Sequence, residues 1–191
     1  MGYKEKSDGV GNKITSTFKF TESATTSSIR DFDLNKYLVQ FGIVDEEGFT
    51  VMGQKIKEIK YADLNNDGKE EAIFTVASGG TSGAFGPFVS TLQNGSLIQL
   101  KVDDSNPSLY KSALGSSWGH VLFLSVKNKL IEMFSLYKDS DGNCCPSGGK
   151  RYILYSWDGS KFAVQKVIDL GPEWIQDWDE SNNEAIKEFG L

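Results

Sequence analysis

A chain of 191 residues, 39% of them hydrophobic and 12% aromatic, carries enough apolar material for one folded domain and is not a disordered chain. A formal net charge of −6 without any extended basic run argues against nucleic acid as a partner, since a phosphate backbone has to be neutralised by clustered Lys and Arg. No apolar run approaches the roughly 20 residues that a membrane-spanning helix needs.

The first residues, Met1-Gly2-Tyr3-Lys4-Glu5-Lys6, lack the apolar stretch of a secretory signal. Two readings of this start stay open: a cytosolic protein, or a chain that follows a removed signal or lipid anchor. Residues 1–13 are expected to be a flexible linker, and residues 14–191 a single β-rich domain. The alternation of Ile14, Ser16, Phe18 and Phe20 predicts a half-buried strand over 14–20. Phe32, Leu34, Tyr37, Leu38 and Phe41 outline a short amphipathic helix within 31–41. Residues 54–61 read as a strand running into an acidic loop, and the β-branched run 72–77 as the strand leaving it.

Residues 79–87 form a Gly-rich loop in this reading. Three hairpins follow: 88–92 with 97–102 around Asn94-Gly95, 121–126 with 130–137 around Lys127-Asn128-Lys129, and 152–157 with 162–170 around Asp158-Gly159. After Pro172-Glu173, the apolar positions Trp174, Ile175, Trp178, Ala185, Ile186 and Phe189 predict one or two short helices, interrupted at Ser181-Asn182-Asn183. The expected class is mainly β within α+β: an antiparallel, hairpin-rich sheet or barrel with short N-terminal and C-terminal helices. No internal repeat supports a propeller.

The acidic loop reads Asp63-Leu64-Asn65-Asn66-Asp67-Gly68-Lys69-Glu70-Glu71. Calcium takes about 6–8 oxygen ligands, which a loop supplies when carboxylates and amides recur at alternate positions and a Gly permits a sharp turn. Asp63, Asn65, Asp67, the Lys69 carbonyl and Glu71 occupy the first, third, fifth, seventh and ninth places. An EF-hand is excluded because Phe74 stands at the twelfth place and the flanks are strand-like. The competing reading is a solvated turn, since Asn-Asp-Gly turns without metal. In both readings Gly68 takes positive φ. The oxygen set favours calcium over magnesium and zinc.

Cys144 and Cys145 are the only cysteines and they are adjacent, in a loop that includes Asp139, Asp141 and Asn143. A zinc site needs more Cys or His, and a redox motif is normally C-x-x-C. Two states remain: free, partly buried thiols, or a vicinal disulfide. Adjacent Cα atoms are about 3.8 Å apart, shorter than the usual disulfide span of roughly 4.4–6.8 Å. A loop clamp and a redox or ligand-gripping role are both open.

Gly115-Ser116-Ser117-Trp118-Gly119 matches G-x-S-x-G. However, a strand rather than a helix follows it, and His120 is the single histidine, with none later to complete a triad. Gly79-Gly80-Thr81-Ser82-Gly83 lacks the lysine of a phosphate-binding loop. Trp118, Trp157, Trp174 and Trp178 suit either a carbohydrate cleft or ordinary core packing.

Taken in order, the acidic run continuing into Ala72-Ile73, the loop Gly79-Gly80-Thr81-Ser82-Gly83, Cys144-Cys145-Pro146-Ser147, Arg151-Tyr152 and Trp157-Asp158-Gly159 resemble bacterial secreted or lipid-anchored proteins of the LppP/LprE lipoprotein type. The resemblance covers roughly residues 56–165, and the further Cys of some relatives is missing here. It implies an extracytoplasmic location and a fold more than an activity. The expected function is a non-enzymatic, calcium-stabilised binding or structural domain with an envelope ligand or protein as partner. A hydrolase using carboxylates such as Asp139 or Asp141 is the first alternative. A redox-sensitive module using Cys144 and Cys145 is the second.

Overall fold

The computed structural model describes residues 28–35, 56–77, 84–103, 105–142, 144–174 and 177–191. The linker expected over 1–13, the strand over 14–20, residues 36–41 of the N-terminal helix and the Gly-rich stretch 79–83 lie outside them.

Nine strands among the described residues form one sheet. They are β1 (Ile56–Ala62), β2 (Glu71–Ala77), β3 (Ala84–Gln93), β4 (Ser96–Val102), β5 (Lys111–Ser112), β6 (Gly115–Val126), β7 (Lys129–Tyr137), β8 (Gly149–Trp157) and β9 (Lys161–Leu170). Their spatial order is β1-β2-β3-β4-β9-β8-β7-β6-β5. Two antiparallel meanders, β1–β4 and β5–β9, therefore meet along one seam. That seam is parallel and pairs only Lys101 with Lys161 and Val102 with Phe162. The sheet curls until β3 lies against β6, yet it does not close. Of the two expected forms, sheet or barrel, the protein is an open sheet.

The three predicted hairpins are present. Asn94 and Gly95 both take positive φ, as do Lys127 and Asn128, which suits two-residue turns that follow the twist of their strands. The second turn is one residue shorter than the sequence implies, because Lys129 already pairs with Val126. Strand β3 begins at Ala84, so residues 84–87 leave the predicted loop and join the sheet. Its Gly86 is at φ +121°, and a Cβ there would stand 3.0 Å from the Phe74 carbonyl oxygen and the Phe88 nitrogen.

Strand β2 is buried on both faces, which explains its unbroken apolar run. Ile73 joins one cluster with Leu64, Val89, Phe123, Leu130, Phe134, Ile153, Tyr155 and Phe162. Ala72, Phe74 and Val76 face the other way, onto Ile29, Leu34 and Leu97. Near residue 31 the chain makes a 3-10 turn, Ile29–Asp31, capped by the Ser28 hydroxyl.

A third cluster joins Ile131, Met133, Tyr152 and Leu154 to Ala185 of helix α1 (Trp178–Glu188). An isolated helix of eleven residues is marginal in water, so α1 depends on this packing. Asp177 caps it, accepting from the Glu180 N–H at 2.8 Å. Ser181-Asn182-Asn183 lies within the helix rather than breaking it. The Ser181 hydroxyl donates to the Trp178 carbonyl and meets Lys150 and Tyr152 of β8, so a tertiary contact overrides the local turn preference. No described helix is long and apolar enough to cross a membrane.

Candidate functional site

The acidic loop hangs between β1 and β2, pinned by Leu64, which is buried in the main core. Glu71 opens β2 and is 0% exposed. Its Oε2 accepts N–H bonds from Leu64 at 2.8 Å and Asn65 at 3.3 Å, and its Oε1 accepts from Asn65 Nδ2 at 3.1 Å. Burial raises the Glu71 pKa, against the pull of hydrogen bonds from Leu64, Thr91 and Asn65, and the charge of Asp67 adds to the rise.

Asn65 Oδ1 takes the Asp67 N–H at 2.9 Å, and Asp67 Oδ1 takes the Lys69 N–H at 2.8 Å, two successive Asx turns. Asp63 Oδ2 reaches across the loop to the Gly68 N–H at 3.1 Å. Gly68 is at φ +84°, the positive value expected of it. Asp63 Oδ1 is buried and has no hydrogen-bond partner among the described residues. Two further ties hold the loop from outside. Asn128 Nδ2 donates to Asn66 Oδ1 at 3.1 Å, and Arg30 makes a two-pronged pair with Glu70.

Asp63, Asn65 and Asp67 are thus brought into one loop, while both Glu71 oxygens point at the loop's own N–H donors. Among the described residues, no group of three or more His, Cys, Asp or Glu side chains is close enough to hold a metal ion. The other oxygen donors that the loop sequence offers are the Asn65 amide and the Lys69 carbonyl. Asp63 Oδ1 is thus the buried side-chain oxygen of this loop that no described residue satisfies.

Cys144 and Cys145 form a disulfide and are exposed. The loop around them is held by Asp141. Its Oδ2 accepts the N–H groups of Lys138 at 2.8 Å and Ser147 at 2.7 Å, and its Oδ1 accepts the Ser147 hydroxyl at 2.6 Å. The Ser147 hydroxyl is the main reason its carboxyl sits below the usual range. A bond between neighbouring residues closes almost no chain, so it restricts the unfolded state little. Reduction is expected to lower stability by less than about 1 kcal/mol, or about 2–4 °C in melting temperature. Asp141→Ala is expected to lower the melting temperature further than reduction does. Calorimetry with and without a phosphine reductant checks both.

Some of the features that looked like enzyme motifs have structural places. Ser117 lies inside β6, so no strand-turn-helix elbow exists there. Trp157 packs on Phe162 with ring centroids 5.1 Å apart, and the Trp178 ring lies 3.9 Å from the Lys150 ammonium. Asp141 is committed to its loop.

One group escaped the sequence reading. Glu132 lies on β7 between Leu130 and Phe134, on the face that points into the main core, and is only 7% exposed. The Tyr155 hydroxyl donates to its Oε2 at 2.7 Å. The clue is a Glu in the middle of Leu130-Ile131-Glu132-Met133-Phe134, a run apolar enough to be covered on both sides. Glu132 and Tyr155 line a cleft of about 540 Å³ together with Gly86, Pro87, Phe88 and residues 99–102. Compared with known protein families, characterised proteins and solved structures, the chain matches none.

Proposed function

We propose that this chain is a non-enzymatic extracytoplasmic domain, a binding or structural module that calcium stabilises. The observation that carries the calcium reading is the buried, unpartnered Asp63 Oδ1 within a loop of alternating oxygen donors. Asp63, Asn65, Asp67 and the Lys69 carbonyl would hold the ion, and Glu71 would fix the loop's return into β2. The bound ion would supply charge neutralisation and a rigid joint between two strands. The exposed Cys144–Cys145 disulfide supports an oxidising compartment, where such bonds persist. So does the lipoprotein resemblance of residues 56–165.

Calcium at about a hundred times its dissociation constant would add about 2.7 kcal/mol to the folded state. For a chain of this size that corresponds to a rise of roughly 5–10 °C in melting temperature. The rise is expected after exhaustive chelation followed by calcium addition, and its loss in Asp63→Ala/Asp67→Ala. An unchanged melting curve in the wild-type protein would sink the proposal. The exposed disulfide also favours a second reading, a redox-sensitive module. Non-reducing mass spectrometry showing two free thiols in protein from an oxidising compartment would remove that reading.

A further inference from the structure

We infer that the Cys144–Cys145 bond is a thiol–disulfide exchange site that takes two electrons from a dithiol partner, in a loop that keeps its shape in both redox states. The inference rests on the second reading above, the redox-sensitive module, and does not depend on calcium.

Both cysteines are exposed in the turn between β7 and β8, so a thiolate can reach either sulfur. Exposed disulfides are the labile kind, whereas structural ones resist reduction. This bond also secures little, because it joins neighbouring residues and closes almost no chain. The loop has fastenings of its own. Asp141 accepts from the Lys138 N–H and from both the N–H and the hydroxyl of Ser147. The Asp141 N–H donates to the Lys138 carbonyl at 2.9 Å, the Cys145 N–H to the Gly142 carbonyl at 3.0 Å, and the Gly148 N–H to the Leu136 carbonyl at 2.8 Å. None of these bonds uses a sulfur. The Asp141 carboxyl lies below the usual range, chiefly through the Ser147 hydroxyl, so it stays ionised where thiolates form. The folded loop therefore accepts the oxidised and the reduced pair almost alike. By linkage, the small stability cost expected of reduction limits the shift that the fold imposes on the redox equilibrium to about fivefold.

Exchange begins when a partner thiolate attacks one cysteine sulfur. The Cys144–Cys145 bond breaks, and the other cysteine leaves as a thiolate that takes a proton from water. The freed cysteine is one residue away, so it attacks back and expels a monothiol. A dithiol competes with that return. Its second thiolate attacks its own bonded sulfur, releases the cysteine and leaves as a disulfide. Two electrons and two protons pass from the dithiol to the protein. Adjacency thus selects dithiols over monothiols.

The test treats the full oxidised chain with dithiothreitol or 2-mercaptoethanol at equal thiol concentration, followed by N-ethylmaleimide trapping and mass spectrometry. Dithiothreitol is expected to give at least about tenfold more doubly alkylated chain than mercaptoethanol, which should leave little mixed disulfide. Amide NMR shifts on reduction are expected to stay within the turn between β7 and β8. Asp141→Ala loosens the loop and is expected to raise the mercaptoethanol mixed disulfide about threefold, inside the fivefold limit. Similar yields from the two reagents, a mixed disulfide that accumulates in the wild type, shifts spreading through the sheet, or no effect of Asp141→Ala would each overturn the inference alone. If Asp141→Ala does not fold, the wild-type measurements still decide. Two free thiols before any reagent is added would remove the redox reading itself, and the inference with it.

Discussion

Replacing Arg151 by methionine is expected to destabilise the protein by about 3–5 kcal/mol, the range seen when one partner of a buried ion pair is removed. Arg151 sits on β8 opposite Asp169 of β9, and its guanidinium grips that carboxylate through Nε at 2.6 Å and Nη2 at 2.8 Å. Its Nη1 serves the carbonyls of Ser108, Leu109 and Lys111 at 2.9, 2.9 and 2.8 Å. These carbonyls belong to the 3-10 turn Pro107–Tyr110 and the start of β5. One planar cation therefore joins a strand pair to the crossover between the two meanders. Lysine cannot replace it, because an ammonium lacks the forked geometry. Arg151→Lys is expected to lose most of the same stability. Urea unfolding measures both, and a cost below about 1 kcal/mol for Arg151→Met would contradict this account.

Stability is expected to rise by about 2 kcal/mol between pH 8 and 10, then fall above pH 10. The rise comes from Lys150, which is 1% exposed beneath α1. Its ammonium donates to Ser181 Oγ at 2.7 Å and the Asp177 carbonyl at 3.1 Å. Burial nevertheless pushes its pKa down to about 8, with Asp177 pulling the other way. Between that value and the ordinary 10.5 the unfolded chain holds a proton that the folded chain has released, so raising the pH favours the fold. Tyr152 acts in the opposite sense. Burial pushes its pKa up to about 12, so the unfolded chain ionises first above pH 10 and stability is lost. Tyr61 and Tyr137, both raised by burial, add to that fall. Lys150→Met keeps the apolar stem and removes the charge. Its stability is expected to stay within about 1 kcal/mol of wild type at neutral pH, with the rise between pH 8 and 10 gone. Urea midpoints across this range decide the matter, and a flat wild-type profile would be the contrary result.

These two anchors lie side by side on β8, yet their partners lie on opposite sides of the sheet. Lys150 and Tyr152 face α1, whereas Arg151 faces the crossover turn. That arrangement separates the acidic loop, at the far end of the first meander, from the helix.

The local elements were legible in the amino-acid sequence because they depend on near neighbours. Asn94-Gly95, Asn128 and Gly159 announce their hairpins, because Asn and Gly tolerate the positive φ these turns need better than other residues do. Gly68 announces the acidic loop for the same reason, and Asn65 and Asp67 announce it by accepting N–H bonds from two residues on. Contacts between distant segments were not legible. The parallel seam of β4 with β9, and with it the open sheet and the cleft, depends on which apolar faces meet after collapse. Ser181 reads locally as a helix breaker and becomes a helix residue because Lys150 and Tyr152 engage its hydroxyl. Glu132 reads as one polar letter in a strand, and only the burial of both faces of β7 turns it into a carboxyl inside a core. Local chemistry determined the turns and strands; the pairing of remote surfaces decided which polar groups are buried, because burial depends on what packs against each face.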